Sequence, residues 1–175
     1  IVMRLAVTVG LIFMLGSLFF PAQLMHIFTD EPEIIAEGIK YLRIVAFTYP
    51  MVALSMTYLN LIRSIEKVMI STVVYGLSLI LNFIVNAVLI FGLFGAPELG
   101  IVGAAIGTLC ARALELVIML WYACFRNRIV RIRFSYLMHW DRGLLRDFLR
   151  YSSPVVLNEF FWGAGYSAIA AVIGH

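Results

Sequence analysis

Few side chains in this sequence are equipped for chemistry, and most of those stand inside long apolar runs. Asn82 and Asn86 lie four apart in LNFIVNAVLIF, Thr108 ends the glycine-studded run GIVGAAIGT, Arg112 and Glu115 follow three apart, and Glu159 stands in SSPVVLNEFFWG. Each Asn offers a carbonyl oxygen with two lone pairs and an amide with two donors. Four residues apart is one face of a helix. The pair therefore serves either as hydrogen-bonding glue between helices, worth about 0.6 kcal/mol per contact, or as the lining of a pocket for a small cation or substrate. Arg112 and Glu115 each cost about 2.5–3.5 kcal/mol in a bilayer and offset each other by pairing. That intramembrane ion pair is either structural or a gate facing a central cavity. Glu159 has no basic neighbour on its own helix: Arg150, nine residues back, is out of reach at ~1.5 Å per residue. It has either a structural partner on another helix or, as the default for a lone intramembrane carboxylate, a role in binding a cation or carrying a proton. Thr108 is expected to bond back to a carbonyl of its own helix.

Enzyme chemistry has no comparable footing. His26, His139 and His175 are scattered, and there is no HExxH, no CxxC and no Ser/His/Asp set in a recognisable context. GIVGAAIG has the wrong spacing for a dinucleotide-binding loop and sits within an apolar run. No catalytic residue, resident metal or cofactor is expected. Cys110 and Cys124 fall on one helix, cannot bridge each other, and read as small apolar packing residues.

The elements that carry these residues follow from composition. The chain is 63% hydrophobic and 13% charged, with a mean hydropathy of +0.99. Soluble domains run nearer 45–50% apolar and about 25% charged, so a soluble surface cannot be made. Charge-free stretches run from Leu5 to Thr29, Ile44 to Ile62 and Val68 to Pro97, and only Arg112 and Glu115 interrupt Leu99 to Phe125. Runs of about 20 apolar residues match a helix crossing a hydrocarbon core of roughly 30 Å. The fold class is all-α, a polytopic transmembrane helix bundle in the lipid bilayer. Its spans fall near 5–26, 38–62, 68–93 and 99–125, and a fifth begins near 152. Residues 1–22 lack the small-residue cleavage pattern of a signal peptide. The chain starts on Ile1 and stops at His175 inside an apolar run, so it is expected to be the middle of a longer protein.

Backbone signals add detail. Pro50 removes one donor inside the second span and is expected to kink it. Thr29 or Asp30 can cap a short outer helix with Pro32 in its first turn. Gly103 and Gly107 form GxxxG, and Gly100 adds a third small position for close helix packing. In DRGLLRDFLRYSSP, Leu144, Leu145, Phe148 and Leu149 share one helical face and Arg142, Arg146 and Arg150 another. That pattern suits a surface helix capped by Asp141, feeding a new span with Pro154 in its first turn.

Loop charge sets the sides. Arg63 and Lys67 bracket one link, and the stretch 126–150 holds seven Arg against Asp141 and Asp147. The links at 27–37 and 94–98 are acidic. Since cytoplasmic loops carry the Lys/Arg excess, 63–67 and 126–150 are cytoplasmic and 27–37 and 94–98 external. The net charge of +3 follows from this bias. RNRIVRIR reads as a juxtamembrane anchor on anionic lipid, with no nucleic-acid partner.

The segment LNFIVNAVLIFGLFGAPELGIVGAAIGTLCAR resembles the fifth-to-sixth helix region of the multidrug and toxic compound extrusion (MATE) family. YLRI, LIRSIEK and YSSPVVLNEFFWGAG are similar to other parts of it. The resemblance implies a twelve-helix fold of two six-helix lobes that rock about a central cleft. Residues 1–125 would then belong to the N-terminal lobe as the third to sixth helices, 126–150 to the inter-lobe linker, and 151–175 to the start of the seventh helix. It implies a secondary-active antiporter of the plasma (inner) membrane that exports cationic amphipathic organic compounds against Na+ or H+ entry. Asn82 and Asn86 match that family's fifth-helix pair, with Asn86 at a position some members fill with Asp. Thr108 resembles its sixth-helix contributor and Glu159 a seventh-helix carboxylate. The remainder of the same chain would be the partner that completes the cleft. The alternatives are a lipid-linked precursor flippase of the same superfamily, for which Arg112 is the only deep basic residue, and a non-transporting membrane scaffold.

Overall fold

The computed structural model describes residues 2–95, 97–126 and 142–174. Its elements are α1 (Val2–Phe19), α2 (Pro21–His26), α3 (Pro32–Val45), α4 (Thr48–Ser64), α5 (Val68–Phe91), α6 (Gly100–Trp121) and α7 (Arg142–Gly174). No strand occurs among the described residues. Helix α6 runs on through one π-helical turn, Tyr122–Arg126. Four helices are long and apolar enough to cross a membrane, and the bent pair α3–α4 makes a fifth. The protein is an integral membrane helix bundle.

Several element boundaries differ from the sequence expectation, each for a backbone reason. The first span breaks at Phe20, which leaves helical geometry (φ −124°, ψ 40°) because Pro21 follows. The outer helix starts at Pro32 with Glu31 as its N-cap and no side-chain cap, so neither Thr29 nor Asp30 fills that place. Thr29 Oγ1 accepts the Glu31 N–H instead, at 3.3 Å. The second span is two helices bent by 49°. The break falls at Ala46–Phe47, one turn before Pro50, which sits in the first turn of α4. A residue at position 50 would ordinarily donate to the Ala46 carbonyl, and proline cannot. The Tyr49 N–H takes that carbonyl at 3.2 Å, tightening the turn. The expected surface helix and following span are one continuous helix, α7, with Pro154 inside rather than at a start. One lost bond in a 33-residue helix does not interrupt it. Asp141 lies outside the described residues.

Helix α5 packs along α6, α1 along α4, and α3 and α4 both against α6. Among the described residues many buried positions are small or polar, such as Ser17, Thr48, Ser55, Ser71, Ser78, Gly103, Gly107 and Glu115, beside apolar ones such as Tyr58, Leu59, Ile62, Val74 and Met119. Large apolar side chains such as Phe13, Leu79, Phe83, Val117 and Phe125 point outward. The outward apolar side chains fit a lipid solvent, where close backbone approach between helices matters more than burying every Leu or Phe. A modest apolar knot of Tyr58, Ile62, Met119 and Ala123 joins α4 to the end of α6. No residue from Gly143 to Ile173 is buried against the rest.

Candidate functional site

Helix α5 carries its polar residues in one stripe. Ser71, Tyr75, Ser78, Asn82 and Asn86 recur at intervals of three or four, the spacing of one helical face. At the stripe's beginning the Ser71 hydroxyl donates to the Leu59 carbonyl of α4 at 3.2 Å. Further along, Ser78 donates to the Ala111 carbonyl of α6 at 3.0 Å. The stripe therefore faces protein along its length.

The two asparagines touch. Asn86 Nδ2 donates to Asn82 Oδ1 at 3.1 Å. Asn86 Oδ1 is buried and accepts nothing from the described residues. It lies directly on Gly107, where any Cβ would run into it. One turn earlier in α6, a Cβ on Gly103 would meet the Leu89 carbonyl oxygen at 2.8 Å. The GxxxG pair thus lets α5 approach α6 and makes room for the Asn86 carboxamide. Gly100 does not share that role, since nothing stands within 4 Å of a Cβ there. Its φ of +50° turns the chain into α6, a geometry that favours glycine.

Below the asparagines a cleft of about 310 Å3 opens between α5 and α6, lined by Tyr75, Ser78, Asn82, Thr108 and Arg112 with Leu79 and Ala111. Thr108 lines it, but its hydroxyl donates to Ala104 of its own helix at 3.0 Å. Arg112 Nη1 and Glu115 Oε2 pair at 2.7 Å. Glu115 is 0% exposed, and its other oxygen accepts the Ser55 hydroxyl at 2.6 Å. Both carboxylate oxygens are thereby satisfied, so the buried charge links α4 to α6.

The structure does not bring Glu159 into this site. It sits exposed on α7, far along a helix with no buried contact to α5 or α6. Cys110 and Cys124 are both free and exposed, so neither packs as expected. Sequence reasoning overlooked Ser55, Tyr75 and Ser78. The three-and-four spacing of the α5 stripe was available as a signal for two of them. Ser55 has no such signal, because its partner lies 60 residues away.

The family model described as MatE matches residues 1–88, half of the chain. This chain belongs to the MatE family. It is 28% identical to the multidrug export protein MepA of Staphylococcus saprophyticus over 174 residues, 93% of this chain and 38% of that protein. It is 26% identical to the multidrug resistance protein NorM of Vibrio cholerae over 176 residues, 99% of this chain and 37% of that one. The MatE chain thus spans under two fifths of the length of these relatives. A solved structure described as the inward-facing conformation of a multidrug resistance MATE family transporter of the MOP superfamily superposes with a TM-score of 0.73 at 19% identity. That likeness covers 85% of this chain and 33% of the other, and it establishes the MatE fold. The relatives bear the names of export and resistance proteins, not of enzymes.

Proposed function

We propose that this chain is the N-lobe portion of a secondary-active multidrug exporter of the plasma membrane. Residues 1–125 contribute the third to sixth helices of a two-lobed fold, 126–150 the cytoplasmic linker, and 151–175 the start of the second lobe. The proposal puts 63–67 on the cytoplasmic side and 27–37 and 94–98 outside, in keeping with the loop charges. Its cargo is small organic cations, and inward Na+ or H+ drives their export by alternating access. The names and lengths of the relatives support this reading.

The observation that carries the coupling role is the buried Asn86 Oδ1, which accepts no hydrogen bond from the described residues. A buried acceptor left without a donor costs about 1–3 kcal/mol, and an entering cation would remove that cost. Asn82 Oδ1, already accepting from Asn86, keeps a second lone pair beside it. Two carboxamide oxygens are a partial shell for Na+, so further ligands must come from the rest of the protein. Occupancy of the pocket would favour one lobe conformation and drug binding the other, and linkage makes the two effects reciprocal. In the complete exporter, Asn86→Ala should lower dye efflux and flatten its dependence on the Na+ or proton gradient. Efflux with unchanged gradient dependence would remove Asn86 from the coupling site.

A further inference from the structure

The α5–α6 cleft offers hydrogen-bond donors and a positive charge as well as acceptor oxygens. Asn82 Oδ1 already accepts from Asn86. The hydroxyl protons of Ser78 and Thr108 are given to helix carbonyls. Those oxygens keep lone pairs as acceptors, and donors stand beside them: the Asn82 amide, the Tyr75 hydroxyl, and the Arg112 N–H groups beyond the one held by Glu115. A guanidinium has five N–H donors in a fork that matches a carboxylate. Charge is presented unequally as well. The Arg112 side chain is 33% exposed and lines the cleft, whereas Glu115 is wholly buried, with one oxygen on Ser55 and the other on Arg112. The ion pair therefore shows the cleft its positive end.

We propose that this cleft is a binding site for the anionic group of an amphipathic carboxylate. Arg112 and the Asn82 amide donate to the carboxylate oxygens, and the Tyr75 ring and Leu79 take the apolar body. Glu115 and Ser55 act as positioning residues that hold the guanidinium toward the cleft. The site is separate from the coupling proposal but shares Asn82 with it, so its test uses a binding readout without any gradient.

The complete membrane protein carrying this segment would be purified in a nonionic detergent. Equilibrium dialysis would then compare 2-naphthoate with the uncharged, near-isosteric 2-naphthamide. Charge-assisted bonds to Arg112 should make naphthoate bind about tenfold tighter or more. Asn82→Asp puts a negative charge in the cleft and leaves the Arg112–Glu115–Ser55 contacts in place, so it should abolish that preference. The double variant R112Q/E115Q, neutral throughout, should abolish it too. Equal affinities in the wild type overturn the site, as does a preference that survives N82D. The coupling reading makes the opposite forecast for N82D, retained or stronger cation dependence of efflux, so either idea can fail alone.

Discussion

The Asn86 carboxamide and Gly107 occupy each other's space, and that contact has a direct consequence. Gly107→Ala should lower stability by about 1–3 kcal/mol, the usual cost of overpacking, because the new methyl meets Asn86 Oδ1. Asn86→Ala removes the obstacle, so G107A/N86A should be less destabilised than the two single effects combined. Thermal unfolding of the four proteins in detergent gives the coupling energy. The buried carboxylate yields a second ranking. Arg112→Met strands Glu115 without its cation and should cost roughly 3–5 kcal/mol. Ser55→Ala removes one hydrogen bond and should cost about 1–3 kcal/mol. Equal losses for the two would mean that the ion pair contributes no more than the hydroxyl.

Between elements, glycine has different meanings at different positions. Gly103 holds α5 close to α6, whereas Gly76 faces open space. Gly103→Ala should lower the unfolding temperature, while Gly76→Ala should be neutral or raise it, since Ala exceeds Gly in helix propensity by about 1 kcal/mol. The turn between α4 and α5 offers the reverse case. The Glu66 N–H bonds the Arg63 carbonyl at 3.1 Å, and the Lys67 N–H bonds the Ile62 carbonyl at 3.3 Å. This is a Schellman closure, and Glu66 holds its left-handed position with φ 65°. Glu66→Gly should therefore stabilise the protein by about 1 kcal/mol through relief of side-chain strain, read as a rise in the same melting curves.

Across the whole molecule, the loop charges predict which turns face which compartment. In a background with Cys110 and Cys124 replaced, a cysteine at Glu33 should react with a membrane-impermeant maleimide from outside intact cells. One at Lys67 should react only after permeabilisation. The inverse pattern would invert the proposed topology. At this scale α7 stands apart, since its apolar residues Phe160, Phe161 and Trp162 stay exposed along the whole helix. Under the proposed two-lobed reading, its packing partners lie in the rest of that fold.

Fold class and span positions were legible in the sequence because they depend on local quantities. A charge-free run long enough to cross a bilayer is a helix for want of any other way to satisfy its backbone. The Asn82–Asn86 contact was legible for the same reason, since helical periodicity alone puts positions four apart together. Pro50 marked the bent span, but which turn would open depended on the carbonyl that proline leaves without its donor. The sequence could not tell Gly100 from Gly107, because a left-handed turn and a tight helix contact select the same residue. Nor could it join Ser55 to Glu115 or separate Glu159 from the asparagine stripe. Those facts depend on which helices pack and at what rotation. Between helices in lipid that choice turns on small-residue contacts and single hydrogen bonds, and a periodic stripe on one helix does not specify which helix it meets.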